Sequence, residues 1–341
     1  MIKTAVVILN WNGREFLEKF LPGVIDNTIS DDAEIIVADN GSDDDSVEWL
    51  SISFPAIRII KLERNWGYAG GYNRALRQVE AEYYILLNSD VKVEKGWSEK
   101  LVTFMEMHPR VGACQPKIRS FEKPTFFEYA GAAGGFIDML GYTFCRGRIF
   151  NTIEEDRGQY NDTREIFWAS GSCMAVRASA FEQCDGLDEA FFVHMEEIDL
   201  CWRMQNAGYI ICYVSDAVIW HVGGGTLSYD SPEKVYYNFR NSLMMLAKNL
   251  PSRHLRRTLF IRQLLDGVAA IMLLFRSGRA AFGAVVRAHN DFRKARTSIK
   301  TFRTMAPHPD MYSTPHTTMN KSVVFEYYIR GKRIFTDLKW R

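Results

Sequence analysis

Residues 4–87 alternate between two patterns, and that alternation constrains the fold more than any other feature of the chain. Residues 4–9 are an aliphatic and β-branched run, and 14–29 place Phe16, Phe20 and Val24 at helical spacing. A second apolar run covers 34–38, a short helix 46–54, a third strand 57–62, a helix 70–79 and a fourth strand 83–87. Strands separated by helical segments define β-α-β units and a mostly parallel sheet covered on both faces. In such sheets the ligand crevice lies outside the carboxyl ends of the strands. Polar residues gather at those ends here: Asn10-Trp11-Asn12-Gly13 after the first strand, Asp39-Asn40-Gly41-Ser42 after the second, Asn88-Ser89-Asp90 after the fourth. A glycine-rich stretch from Asn65 to Asn73 follows the third strand and opens a helix.

Beyond this region, 110–165 read as loops and short strands, 167–225 are again dense in polar signals, and the pattern turns helical after Pro232. With 341 residues, 47% hydrophobic and 24% charged, the chain can bury a sizeable core, which excludes disordered, collagenous and disulfide-scaffold classes. Six cysteines without C-x-x-C or metal-ligand spacing read as buried thiols of a reducing compartment. The amino-terminal run is too short for a signal peptide and reads as the first strand. The longest uncharged stretch near the carboxyl end is 267–275, well short of the roughly 20 apolar residues of a spanning helix, so no bilayer crossing is expected.

The net charge of +1 conceals an asymmetry. Residues 253–303 carry ten Arg and two Lys against Asp266 and Asp291, whereas the first 252 residues hold 24 basic and 36 acidic side chains. An acidic body followed by a basic segment suggests two tasks on one chain. In that segment Phe260, Leu264, Val268, Ile271 and Phe275 form one apolar stripe, and Phe282, Val285, His289, Phe292 and Ile299 another. With Arg253, Arg256, Arg257, Arg262, Arg276 and Arg279 around them, these stripes fit either a helix lying in an anionic membrane interface or a hairpin packed on the body.

Each polar cluster has a chemical reading and a plainer one. Asp90, just past an apolar strand, could hold a divalent cation against phosphate oxygens, or simply form a turn. Asp39 could bond a nucleobase or ribose, or cap the helix near Ser46. Gly67, Gly70 and Gly71 precede a helix whose amides could approach a diphosphate, but neither G-x-G-x-x-G nor a P-loop is present. Glu196, Glu197 and Asp199 fall within four residues beside Phe191-Phe192. They complement a helix dipole, or raise one another's pKa as a general base requires. His221, in Trp220-His221-Val222-Gly223-Gly224-Gly225, is a second metal ligand if it meets Asp90.

Taken in order, Val6–Asn12, Val37–Asp43, Asn65–Asn73, Leu86–Asp90, Trp168–Ser172 and Glu196–Arg203 resemble glycosyltransferase family 2, in its rhamnosyltransferase-like branch, over about residues 4–250. The resemblance implies an α/β GT-A fold: a mostly parallel Rossmann-like sheet flanked by helices, with a C-terminal helical extension. It divides the chain into a catalytic domain, 1–250, and a basic extension, 251–341; within the domain, about 1–110 would hold the nucleotide sugar and about 111–250 the acceptor. It further implies inversion at the anomeric carbon and Mg2+ or Mn2+ as cofactor. Carried over by position, Glu197 would be the base, with Glu196 and Asp199 beside it. Asn10, Asp39, Asn65, Gly70, Asn73, Asn88, Ser89 and Asp90 would meet the nucleotide sugar, Asp90 and His221 would hold the metal, and Trp168, Ser170 and Gly171 would border the acceptor. The partners implied are a dTDP- or UDP-sugar, a glycan or lipid-linked acceptor and an anionic membrane surface, without nucleic acid, at the cytoplasmic side of the membrane. Two departures stand out: Asn88 occupies the first position of the metal motif, where the family often has an acid, and Glu197 stands where Asp is more usual. A sugar-phosphate nucleotidyltransferase fits less well, because no basic Gly-rich loop follows strand one. A non-catalytic sugar-binding protein is opposed by the intact Asp39, Asp90, Glu197 and His221.

Overall fold

The computed structural model describes residues 2–223, 231–305 and 314–340. The expected alternation is present: β1 (Ile2–Asn10), α1 (Arg14–Asn27), β2 (Ala33–Asp39), α2 (Ser46–Ser53), β3 (Arg58–Lys61), α3 (Gly67–Leu76) and β4 (Ala81–Asn88). These four strands are mutually parallel, in the order β4-β1-β2-β3. Successive residues of β1 go to opposite faces: Ala5 and Val7 join a core with α3, while Val6 and Ile8 join another with α1 and α2. That two-sided burial is why the strand is apolar without interruption.

The chain then continues through β5 (Val91–Val93), α4 (Trp97–Met107) and β6 (Val111–Ser120). Next come the short strands β7 (Gly135–Asp138), β8 (Thr143–Cys145), β9 (Arg148–Ile149), β10 (Thr152–Ile153) and β11 (Arg164–Ile166). After them lie β12 (Cys173–Arg177), α5 (Ala178–Gln183), α6 (Glu196–Asn206), β13 (Ile210–His221) and α7 (Pro232–Asn249). β12 enters antiparallel between β4 and β6, and β13 lies beside β6, so the main sheet is mixed, with nine strands. The ten-residue strand β6 corrects the expectation of only loops and short strands over 110–165.

Residues past 250 form α8 (Ser252–Ser277), α9 (Arg279–Met305), β14 (Thr318–Met319) and α10 (Val323–Tyr328). They pack back on the body: β14 extends the small sheet by pairing parallel with β7, and Val323 donates its amide to buried Asp138 (2.9 Å). The two stripes have different fates. Val285, Phe292 and Ile299 of α9 are buried, whereas Phe260, Leu264, Val268, Ile271 and Phe275 of α8 face outward. Arg262, expected among the stripe's basic flank, is buried instead. By length and composition α8 is apolar enough to cross a membrane, with mean hydropathy 1.7 over its most apolar window. This corrects the criterion of uncharged length, because the window tolerates Arg262 and Asp266.

Candidate active site

The site is assembled at the carboxyl ends of the parallel strands. At β1 and β2, Asp39 Oδ1 accepts from Asn10 Nδ2 (3.1 Å) and Ser42 Oγ (2.6 Å), and its Oδ2 accepts from the Ser42 amide (3.1 Å). Asn10 Oδ1 is buried without a hydrogen-bond partner, and a Cβ placed on Gly13 would lie 2.5 Å from it and 3.4 Å from Ser89 Oγ. Asp39, Asn10 and Ser89 thus line up from the β2 end toward Asp90. Asn65 is drawn into a turn: its Oδ1 accepts from the Gly67 amide (2.8 Å) and Asn40 Nδ2 (3.1 Å). Trp66 on that turn is sandwiched between the guanidiniums of Arg64 and Arg74, 3.9 and 3.5 Å from its ring.

At the β4 end, register brings two distant residues together. β5 pairs antiparallel with β13 so that His221 stands opposite Val91, next to Asp90. His221 Nε2 lies 3.2 Å from Asp90 Oδ1 and 3.4 Å from Asn88 Nδ2. Its other nitrogen, Nδ1, lies 3.5 Å from Oε1 of Glu128, a buried carboxylate that also accepts the Ala130 amide. Burial disfavours the imidazolium, but Asp90 and Glu128 outweigh it and hold His221 up at about 10. Burial likewise opposes the Asp90 carboxylate, and His221 more than offsets this, leaving it below the ordinary value. Glu128 carried no sequence signal; only the fold brings it to His221. Gly224 and Gly225, read with His221 as a flexible loop, lie outside the described residues.

The third wall is the turn before α6. Phe192, His194 and Met195 all have positive φ (65°, 69° and 74°), a conformation that strains side chains with a Cβ. Neighbours hold it there. Asn241 Nδ2 lies 2.7–3.0 Å from the carbonyls of Phe191, Val193 and His194, and Arg240 Nη2 donates to those of Ala190 and Phe191. Neither α7 residue was anticipated. The Phe192 carbonyl accepts the amides of Tyr68 (2.8 Å) and Ala69 (3.3 Å). This corrects the expectation for the glycine-rich turn: the first amides of α3 are spent on the acidic turn, and Gly67, at φ 71°, is packed against Phe192. Gly70 lies inside the helix, its carbonyl bonded by Arg74 (3.0 Å).

The turn delivers Glu196 and Glu197 at the start of α6, each with its Oε2 buried and lacking a hydrogen-bond partner. Burial, then the charge of Glu197, raises Glu196 well above the carboxylate range. Burial raises Glu197 to about 7, against backbone amides that favour its ionised form. Tyr68 feels both charges, and its hydroxyl donates to the Gly171 carbonyl (2.6 Å). The Ser172 carbonyl accepts the Asn88 amide, so residues 171–172 bridge the acidic turn and the His221–Asp90 pair.

Other expected residues are engaged elsewhere. Asp199 is fully buried and accepts from Arg203 Nε (2.8 Å), Lys248 Nζ (2.8 Å) and Asn249 Nδ2 (2.7 Å), which removes it from the reacting acids. Asn73 closes a reciprocal pair with the Leu187 backbone (2.7 and 3.0 Å) and pins the acidic segment instead of facing a ligand. Trp168 is core, its Nε1 donating to the Phe136 carbonyl (2.9 Å). Ser170 is buried, with Oγ bonded to Ala130 O and Ser172 Oγ. Of the three acceptor-side residues, Gly171 alone touches the Tyr68 that adjoins the acids.

This mixed sheet, four of its strands parallel and its faces covered by helices, has the fold of GT-A glycosyltransferases. The model of the family described as glycosyl transferase family 2 matches residues 5–185. The chain belongs to this family. It is 28% identical over 260 residues to the "N-acetylglucosaminyl-diphospho-decaprenol L-rhamnosyltransferase" of Mycobacterium tuberculosis, covering 71% of this chain and 83% of that one. Among solved structures, GalNAc-T7 with UDP, GalNAc and Mn2+ matches with a TM-score of 0.57 and 14% identity, over 90% of this chain and 56% of that one. The mannosyltransferase PcManGT from Pyrobaculum calidifontis, in complex with GDP-Man and Mn2+, matches with 0.53 and 14%, over 88% and 85%.

Proposed function

We propose that this glycosyltransferase is inverting and metal-dependent. It transfers rhamnose or a similar sugar from a dTDP- or UDP-linked donor to a hydroxyl of a glycan or lipid-linked saccharide, in cell-surface polysaccharide synthesis at the cytoplasmic face of the membrane. The observation that carries the reading is the strained turn presenting Glu196, buried, and Glu197, half-buried, each with a buried and unbonded oxygen. Strain held in place by several partners, beside perturbed acids, marks a reacting centre.

Asp39, Asn10 and Ser89 bind the nucleoside end of the donor. Asp90 and His221 would hold the divalent cation. Asp90 and His221, already close together, would suit an ion that completes its shell with substrate oxygens once His221 Nε2 gives up its proton, and Glu128 beside Nδ1 would keep the ring in that orientation. When bound, the cation supplies positive charge against the departing diphosphate. Glu197 takes the proton of the acceptor hydroxyl as that oxygen forms a bond to the anomeric carbon. The bond from that carbon to the diphosphate oxygen breaks on the opposite face, and its electron pair leaves with the nucleoside diphosphate. Glu196, held uncharged by burial and its neighbour, lets Glu197 ionise alone.

A thermal-shift panel of nucleoside diphosphates and nucleotide sugars, with and without Mg2+ or Mn2+, tests the donor half. A ligand at 100 times its dissociation constant stabilises the fold by roughly 2.7 kcal/mol. A metal-dependent shift with dTDP or UDP is expected; no shift with any nucleotide overturns the reading. The activity for which the mycobacterial relative is named supports a lipid-linked acceptor, and the nucleotides and Mn2+ bound in the solved neighbours support a nucleotide-sugar donor and a divalent metal.

A further inference from the structure

α8 is amphipathic in the opposite sense from a helix that packs on a protein core. The two charged residues inside its apolar window are its most deeply buried polar groups: Arg262 is 3% exposed and Asp266 0%. Arg262 donates to the Leu140 carbonyl (3.0 Å) and Ser242 Oγ (2.9 Å) and covers the Tyr142 ring. Asp266 meets His289 Nε2 of α9 at 3.2 Å and Arg262 Nε at 3.5 Å. The opposite face carries Phe260, Leu264, Val268, Ile271, Met272 and Phe275, all 55–85% exposed. At 1.5 Å per residue this stripe is about 22 Å long, and contiguous apolar surface on that scale marks an interaction site.

Charge identifies the occupant. Arg253, Arg256 and Arg257 are exposed one to two turns before Phe260, and at 100° per residue they share its face. Arg276 and Arg279 are exposed at the other end. Arginines at both ends of an exposed apolar face reach anionic headgroups by snorkelling while the apolar side chains between them enter the acyl layer, and the Arg262–Asp266 face stays bonded to the protein along the middle of the helix.

We propose that α8 lies in the plane of an anionic bilayer, its outward stripe inserted among the acyl chains and its Arg262–Asp266 face kept on the protein. The helix therefore anchors the enzyme without crossing the membrane. This deepens the reading of a membrane-side enzyme given above, and it is tested without donor or acceptor so that the two can fail separately.

The full chain is expected to co-sediment with vesicles containing phosphatidylglycerol and not with pure phosphatidylcholine. Leu264→Asp with Ile271→Asp, both at exposed positions, should weaken that binding by about tenfold or more while leaving nucleotide-dependent thermal shifts intact. Spin labels at Phe260→Cys, Val268→Cys and Phe275→Cys then report depth, because all six native cysteines are buried. Equal, shallow immersion of the three labels supports the proposal; a deep label at 268 between two shallow ones shows a spanning helix and overturns it. Vesicle binding unchanged in the double variant overturns it too. So does a dimer by light scattering that the double variant dissociates, with no vesicle binding, since the stripe then serves a second copy. Vesicle binding without sugar transfer would sink the catalytic reading alone.

Discussion

The strand ends and the acidic turn treat their polar groups in opposite ways. At β1 and β2, Asp39 spends both oxygens on Asn10 and Ser42, and Asn40 ties down the Asn65–Gly67 turn. That wall is a hydrogen-bond net on unstrained strands, with Asn10 Oδ1 left unbonded near Ser89. Before α6, three residues sit at positive φ and two carboxylates have unbonded oxygens, on a turn whose carbonyls are held by Asn241 and Arg240. A recognition surface gains from groups already in their bound arrangement, whereas a proton acceptor must be left short of partners. Asp199 sharpens the contrast: three residues after Glu196 on the same helix, it is saturated by Arg203, Lys248 and Asn249.

The largest expected effect breaks the reactive side alone. Glu197→Gln should lower kcat by about 10²–10⁴-fold, the usual worth of a general base, while nucleotide-dependent thermal shifts stay near those of the wild type. Full turnover in that variant would remove Glu197 from the mechanism. Next, Asp199→Asn should destabilise the fold by about 1.5–3 kcal/mol, because Arg203 and Lys248 lose a buried charged acceptor while Lys248 keeps Asp188. Chemical denaturation checks it; a loss of activity with unchanged stability would return Asp199 to the reacting acids. Smaller again, Glu128→Gln should weaken Mn2+ binding in the presence of nucleoside diphosphate by about 10–100-fold, read by paramagnetic titration, with binding of the metal-free nucleotide unchanged. An unaltered Mn2+ affinity would reduce Glu128 to a packing residue.

What could be read in the chain beforehand follows the range of the interactions. β1 to β4 and α1 to α3 declare themselves through local periodicity, and Asp39, Asp90, His221, Glu196 and Glu197 through acid or imidazole chemistry at element ends. β6, β12 and β13 owe their places to pairings between distant segments, so β6 was not visible among its loops. The same limit applies within the candidate site. Nothing local separates Glu197 from Asp199; the difference is made by Lys248 and Asn249, about fifty residues away. Asn73 looked like a ligand contact until Leu187 took both ends of its amide. Arg262 looked like one solvated arginine among several, and only the placement of Ser242 and Leu140 turned it inward.

The smallest effect concerns stability and has a definite sign. Glu197 is raised from an ordinary 4.5 to about 7 in the folded chain, so the folded state holds its proton more tightly than the unfolded one. Below pH 4.5 both states carry the proton and the group costs nothing. As the pH rises from 4.5 to 7 the unfolded state alone releases it, and folding loses stability across that window. Glu197→Gln removes this loss. The variant should therefore match the wild type at pH 4 and exceed it at pH 8 by about 0.5–2 kcal/mol, the scale of other substitutions that relieve a strained site. Paired thermal melts at the two pH values measure it. Catalysis runs the other way through the same proton: kcat/KM of the wild type should fall as the pH drops through about 7, with the acid limb set by the Glu196–Glu197 pair. A variant no more stable than the wild type at pH 8, or a rate indifferent to pH between 6 and 8, would mean that this carboxyl already has its partner and that the acidic turn is built for packing.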